Sequence, residues 1–126
     1  DFIKICQSIV GGTLADLGVS FSKKATVCKY VVPEGYPENP AKNFEVFCNP
    51  ENKSLYLAAV QERGGDIFAT GSRTAAFVGT NKDIVVAESL AEVGVSEIGG
   101  NLFHRKDIGT SSLIKSRINH MKEVLS

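Results

Sequence analysis

Between Asp66 and Val78 two short apolar runs, Ile67-Phe-Ala and Ala75-Ala-Phe-Val, flank a Gly71-Ser72 pair. Glycine reaches positive φ without a Cβ clash, so Gly-Ser suits the centre of a type II′ turn, whose twist matches that of the strands it joins. The stretch predicts a hairpin in which Thr70 faces Arg73. Phe68, Thr70, Arg73, Ala75 and Phe77 would share one side, and Ile67, Ala69, Thr74, Ala76 and Val78 the other. Both sides are mostly apolar, which implies cover on two faces, as in a small barrel or a sheet beneath helices. Arg73 is the one charge at the predicted tip. Its planar fork of donors matches a phosphate or carboxylate, and the amides of a glycine turn can add to it. A solvated arginine after a turn carries the same signature, so this stretch alone does not assign a site.

The rest of the chain extends the pattern. Apolar residues at 2, 5, 6, 9 and 10 form a helical stripe that stops at Gly11-Gly12, as a left-handed C-cap requires. The run Lys24 to Val32 is β-branched and aromatic and reads as a largely buried strand, ended by Pro33. Three of the four prolines fall within Pro33 to Pro40, which is a rigid loop. Residues 43–48 and 54–61 read as two more strands, and Gly64-Gly65 turns the chain into the hairpin. After Gly79-Thr80-Asn81 the period lengthens. Residues 83–93 predict a crossing helix with Val86, Leu90 and Val93 as its apolar stripe, Glu88 and Glu92 off it, and Gly94 as terminator. Leu102-Phe103 reads as a last short strand. In the tail, Ile114, Ile118, Met121 and Leu125 keep helical spacing after a Thr110 or Ser111 cap. The fold class is α+β: a small, mainly antiparallel sheet or partial barrel with a crossing helix and N- and C-terminal helices.

Composition narrows the function classes. The chain has 126 residues, enough for one domain, and 14 basic residues balance 14 acidic ones. Neither a nucleic-acid footprint nor a polybasic membrane patch is present, and no apolar run is long enough to cross a bilayer. Cys6, Cys28 and Cys48 are odd in number and widely spaced among apolar neighbours, which reads as reduced core thiols of a cytosolic protein. His104 and His120 lack partners at metal spacing, so no metal site is expected. No nucleophile, base and acid set can be assembled, and no Gly-Lys-Ser/Thr phosphate loop occurs, so no catalytic residue is assigned. Met121-Lys122 is not a swinging-arm carrier site, because that lysine sits on a helix. The chain opens in a helical pattern without a methionine, which leads us to expect a segment of a longer polypeptide.

Gly35-Tyr36-Pro37, Gly71-Ser72-Arg73 and Phe103-His-Arg-Lys-Asp-Ile-Gly109 occur in an order and spacing that resemble the C-terminal part of the phosphoribosylamine–glycine ligase family, over residues 1 to about 112. Ser72 departs from the glycine usual there, Lys106 from an arginine, and Leu57-Ala58-Ala59 from a Phe-His-Ala-Gly-like segment, so no role is given to residues 54–60. The resemblance implies an ATP-grasp ligase of purine biosynthesis, joining glycine to 5-phosphoribosylamine through an acyl phosphate. Residues 1–21 would be the last helix and linker of the ATP-grasp portion, and 22–126 the C-terminal domain that closes the substrate cleft. ATP and Mg would be held by upstream domains of the same polypeptide, in the cytoplasm. The resemblance makes Arg73, Gly71 and Ser72 the substrate-binding residues, whereas Asp107 is structural, pairing with a neighbouring base or capping the tail helix. Two alternatives stay open: a stand-alone barrel that binds a small anion or a partner, and the same domain of another purine-pathway ATP-grasp enzyme.

Overall fold

The β-branched run in the first third of the chain becomes β1 (Ala25–Pro33), the strand on which the others are built. In the computed structural model, which describes residues 1–125, β1 lies between β5 (Ala75–Asn81) and β6 (Leu102–His104). β2 (Leu55–Leu57) adds outside β5, giving an open antiparallel sheet in the order β2-β5-β1-β6. A second sheet pairs β3 (Val60–Arg63) with β4 (Asp66–Ala69). The α+β expectation holds, and the sheet does not close.

The predicted hairpin about Gly71-Ser72 does not form. The turn lies at Gly64-Gly65, both at positive φ (65° and 95°) as a type I′ turn requires, and it closes Arg63 against Asp66. Beyond it the same two segments separate and pair again. Val60 faces Ala69 and Leu57 faces Ala75, so Ala58-Ala59 spans the gap that residues 70–74 cross on the other side. The Gly71-Ser72-Arg73 segment is therefore looped out as a wide bulge where the chain passes from the small sheet to the large one. Main-chain bonds fix it: the Ala59 amide donates to the Arg73 carbonyl (2.9 Å), the Ala58 amide to the Thr74 carbonyl (3.0 Å) and the Thr74 amide to the Val31 carbonyl (3.0 Å). Residues 43–48, expected as a strand, make only isolated bridges, from Glu45 to Phe68 and from Phe47 to Gly99, and begin at Asn43 with a left-handed φ of 58°.

A helix, α2 (Ile84–Ser96), crosses one face of the large sheet, capped by Asp83, which accepts from the Val85 amide at 2.7 Å. It buries Ala87, Ala91, Gly94 and Val95. The expected stripe Val86, Leu90 and Val93 faces outward, with Val93 62% exposed. Backbone proximity decides between the two faces. Gly79 of β5 lies directly beneath the helix, where a Cβ would come within 1.9 Å of the Ala87 carbonyl, so only the alanine side can approach. Gly94 does not end the helix for a related reason: a Cβ there would sit 2.4 Å from the Phe77 ring, so glycine is kept inside α2 despite its low propensity.

The core falls into two patches, one built on Val31, Val46, Ala69, Ala75, Val95 and Ile98, the other on Val27, Ala87 and Ala91. Helices form at both ends as expected. α1 (Phe2–Val10) is capped by Asp1 and followed by Gly12 at φ 68°, and α3 (Ser111–Val124) is capped by Thr110, which accepts from the Leu113 amide. Neither helix contains a buried residue.

Candidate functional site on the open sheet face

β1 alternates. Val27, Lys29 and Val31 point under α2, while Cys28, Tyr30 and Val32 point to the opposite face, so β1 is buried on one side only. Cross-strand register puts Tyr30 beside Ala76 and Ala76 beside Tyr56, with Val32 beside Phe103. Tyr30, Tyr56 and Phe103 are all exposed. Of the three expected core thiols, Cys6 and Cys28 are exposed, while Cys48 is half-buried and packs against the first core patch. Partial desolvation pushes the thiols of Cys28 and Cys48 up, which is the opposite of an activated thiolate.

Arg73 rises from the bulge onto this open face, its guanidinium carbon 5.7 Å from the centre of the Tyr30 ring, within cation–π range. Tyr30, Ala58, Ala59, Ser72 and Arg73 border a shallow depression there. Gly71, at φ 101°, has the stem of Lys42 laid across it, and a Cβ at 71 would be 2.6 Å from the Lys42 Cε. The structure thus keeps Gly71, Ser72 and Arg73 on one bulge and adds Lys42, which nothing in the spacing of residues connects with them.

Tyr30 also borders a second, more apolar groove of about 340 Å³, lined by Cys28, Val32, Tyr36, Phe103, Arg105 and Ile108. Tyr36 enters it from the proline-rich loop, whose bend depends on Gly35 at φ 80°, where a Cβ would strike the Asn39 carbonyl at 2.2 Å. The two arginines of the face differ in their partners. Arg105 is held by Asp107 through two bonds (Nε to Oδ1 3.0 Å, Nη2 to Oδ2 2.6 Å), which gives Asp107 the structural pairing expected of it. Among the described residues Arg73 has no carboxylate in ion-pair range, so its donors are free for a ligand anion.

Beneath the sheet lies a charged cluster. The ammonium of Lys29, fully buried, donates to Glu88 (2.7 Å), to Glu92 (2.6 Å) and to the Lys106 carbonyl (2.9 Å). His104 Nε2 lies 3.1 Å from Glu92 Oε1. Burial pulls the Lys29 pKa down, but the hydrogen bonds and charges of Glu88 and Glu92 outweigh it and leave the group raised. The Lys29 hydrogen bond is the main cause that lowers Glu92, helped by His104 and opposed by burial. The sequence carried a readable signal for this cluster. Period 2 places Lys29 on the same side as Val27 and Val31, and Glu88 and Glu92 are one helical turn apart.

The fold and its open face define an α+β domain with one layered side and one side of exposed aromatic and cationic groups. A family model for the phosphoribosylglycinamide synthetase C domain matches residues 26–111, and the chain belongs to that family. Over 125 residues it is 50% identical to the phosphoribosylamine–glycine ligase of Methanosarcina barkeri and 51% identical to that of Methanosarcina acetivorans; it is 43% identical over 129 residues to that of Methanocaldococcus jannaschii. Each match takes in 98% of this chain but only 28–29% of the relative, so the chain spans under a third of the length of these ligases. The crystal structure of the phosphoribosylamine–glycine ligase from Thermotoga maritima is similar over 63% of this chain and 20% of that one, with a TM-score of 0.58 and 26% identity.

Proposed function

We propose that this chain is the C domain of a cytoplasmic ATP-dependent ligase that joins glycine to 5-phosphoribosylamine in purine biosynthesis. One observation carries the reading: ligases of that name align with 98% of the chain at about half identity. In the proposed reaction the glycine carboxylate is activated as an acyl phosphate and the amine of phosphoribosylamine displaces phosphate to form the amide. The start of the family match at residue 26 supports assigning 22–126 to the C domain and 1–21 to the end of the ATP-grasp portion. Three free cysteines support a reducing compartment.

ATP and Mg are the proposed cofactors. The described residues contain no group of three His, Cys, Asp or Glu side chains placed to hold a metal ion. The described residues therefore do not fit a metal site, and we assign ATP and Mg to upstream domains of the ligase. Its own contribution is the wall bearing Arg73, with Ser72 and the backbone at Gly71 beside it and Lys42 close by. A guanidinium with no protein carboxylate suits the 5-phosphate of phosphoribosylamine. In the full-length ligase, Arg73→Ala lowers kcat/KM for phosphoribosylamine by about 10- to 150-fold, the equivalent of roughly 1.5–3 kcal/mol for a hydrogen bond to a charged group, and leaves the KM for ATP unchanged. Steady-state kinetics with each substrate varied in turn measures this, and an unaltered kcat/KM removes Arg73 from the site.

A further inference from the structure

The end of β6 and the loop that follows it are tied to the domain interior at three points, all converging on one cluster. His104 reaches Glu92 at 3.1 Å, the Lys106 carbonyl accepts from Lys29 at 2.9 Å, and Gly109 fits so closely over Val27 that a Cβ would lie 2.6 Å from Cγ1 and 3.3 Å from the Glu88 Cγ. Between these ties Arg105 and Ile108, with Phe103, line the groove that Tyr30 also borders, and Ile108 packs in addition against the Val27, Ala87 and Ala91 patch. All three ammonium donors of Lys29 are used, on helix α2 twice and on the loop once.

A buried lysine with two carboxylates is a poor way to gain stability, since an apolar trio of similar volume usually does as well or better. An ammonium can do what such a trio cannot, which is to hold a main-chain carbonyl at a fixed point by a directional bond. We propose that Lys29 is a positioning residue: by clamping the Lys106 carbonyl to Glu88 and Glu92 of α2, it fixes the Phe103–Arg105–Ile108 wall of the groove beside Arg73. The inference rests on the ligase reading, because that reading makes the open face the side turned to substrate. Lys29 touches no ligand and acts through the loop alone.

Two variants of the full-length ligase test it, Lys29→Met and the milder Glu88→Gln, which keeps its shape but gives up one charged acceptor. Hydrogen exchange followed by mass spectrometry reads residues 104–110 against β1 and β5, and kinetics reads each substrate. The expected result, relative to the unaltered ligase, is an acceleration of exchange at least about tenfold greater in the loop than in the strands, with KM for phosphoribosylamine raised by a similar factor and KM for ATP unmoved. Faster exchange spread evenly over loop and strands, or an unchanged loop with unchanged KM, overturns the proposal. Should Lys29→Met fail to fold, Glu88→Gln decides by the same criteria. If the unaltered ligase does not consume phosphoribosylamine, the ligase reading falls, and the exchange comparison still decides whether Lys29 holds the loop.

Discussion

Lys29→Met lowers the unfolding free energy of the chain by about 3–5 kcal/mol, the usual consequence of removing one partner from a buried ion cluster. The lysine side chain has no exposed surface, and Glu88 and Glu92 keep only 17% and 31% of theirs, so two carboxylates are left facing each other with little water to screen them. Urea unfolding measures the loss. Adding Glu88→Gln and Glu92→Gln to Lys29→Met recovers more than half of it, because the damage lies in the orphaned charges and not in the missing volume. A pH series gives the same account its sign. Glu92 is lowered in the folded state, so its contribution is complete above the unfolded value near 4.3 and is lost as pH falls through the lower folded one. Lys29 is raised, so its contribution is complete below about 10.4 and is lost as pH rises through the higher folded value. Thermal melts are therefore expected to fall off at both ends, with the acid limb flattened in Glu92→Gln.

Gly79→Ala is the second large effect, at the upper end of the roughly 1–3 kcal/mol range for overpacking. The added methyl meets the main chain of α2, with the Ala87 carbonyl oxygen at 1.9 Å and the Ala91 amide nitrogen at 2.7 Å, so no rotamer change relieves it. The helix must lift away from β5, and Val27, Ala87 and Ala91 lose their contact together. Gly18→Ala serves as the control. It has open space around it and no left-handed φ, and a change within about ±0.5 kcal/mol is expected. Chemical denaturation of the two variants side by side checks the pair.

These two residues also mark what could be read from the chain beforehand. Helical spacing located α1, α2 and α3 and the β-branched run located β1, which established the α+β class, because those elements are long enough for their patterns to be read. The face of α2 was not legible. Val86, Leu90 and Val93 are the more hydrophobic stripe, yet a glycine on the neighbouring strand admits only the alanine side, and that contact joins residues far apart in sequence. Of the two expected turns, Gly64-Gly65 forms and Gly71-Ser72 was misread for a similar reason. Gly64-Gly65 and Gly71-Ser72 both permit a tight reversal, and the pairing of β2 with β5 decides that the second becomes a bulge. Arg73 was singled out as a charge beside a glycine turn, and the support beneath it is instead a bulge and the ring of Tyr30. Lys42 could not have been found from spacing, because its stem reaches Gly71 across a return of the loop.

The most direct test exchanges the segment of the Methanosarcina barkeri ligase that matches this chain for the chain itself and assays amide formation from glycine, phosphoribosylamine and ATP. The hybrid is expected to form the amide together with ADP at a rate within about tenfold of the parent enzyme. A soluble, folded hybrid that still binds ATP but forms no amide would contradict the assignment of this chain as the C domain of such a ligase.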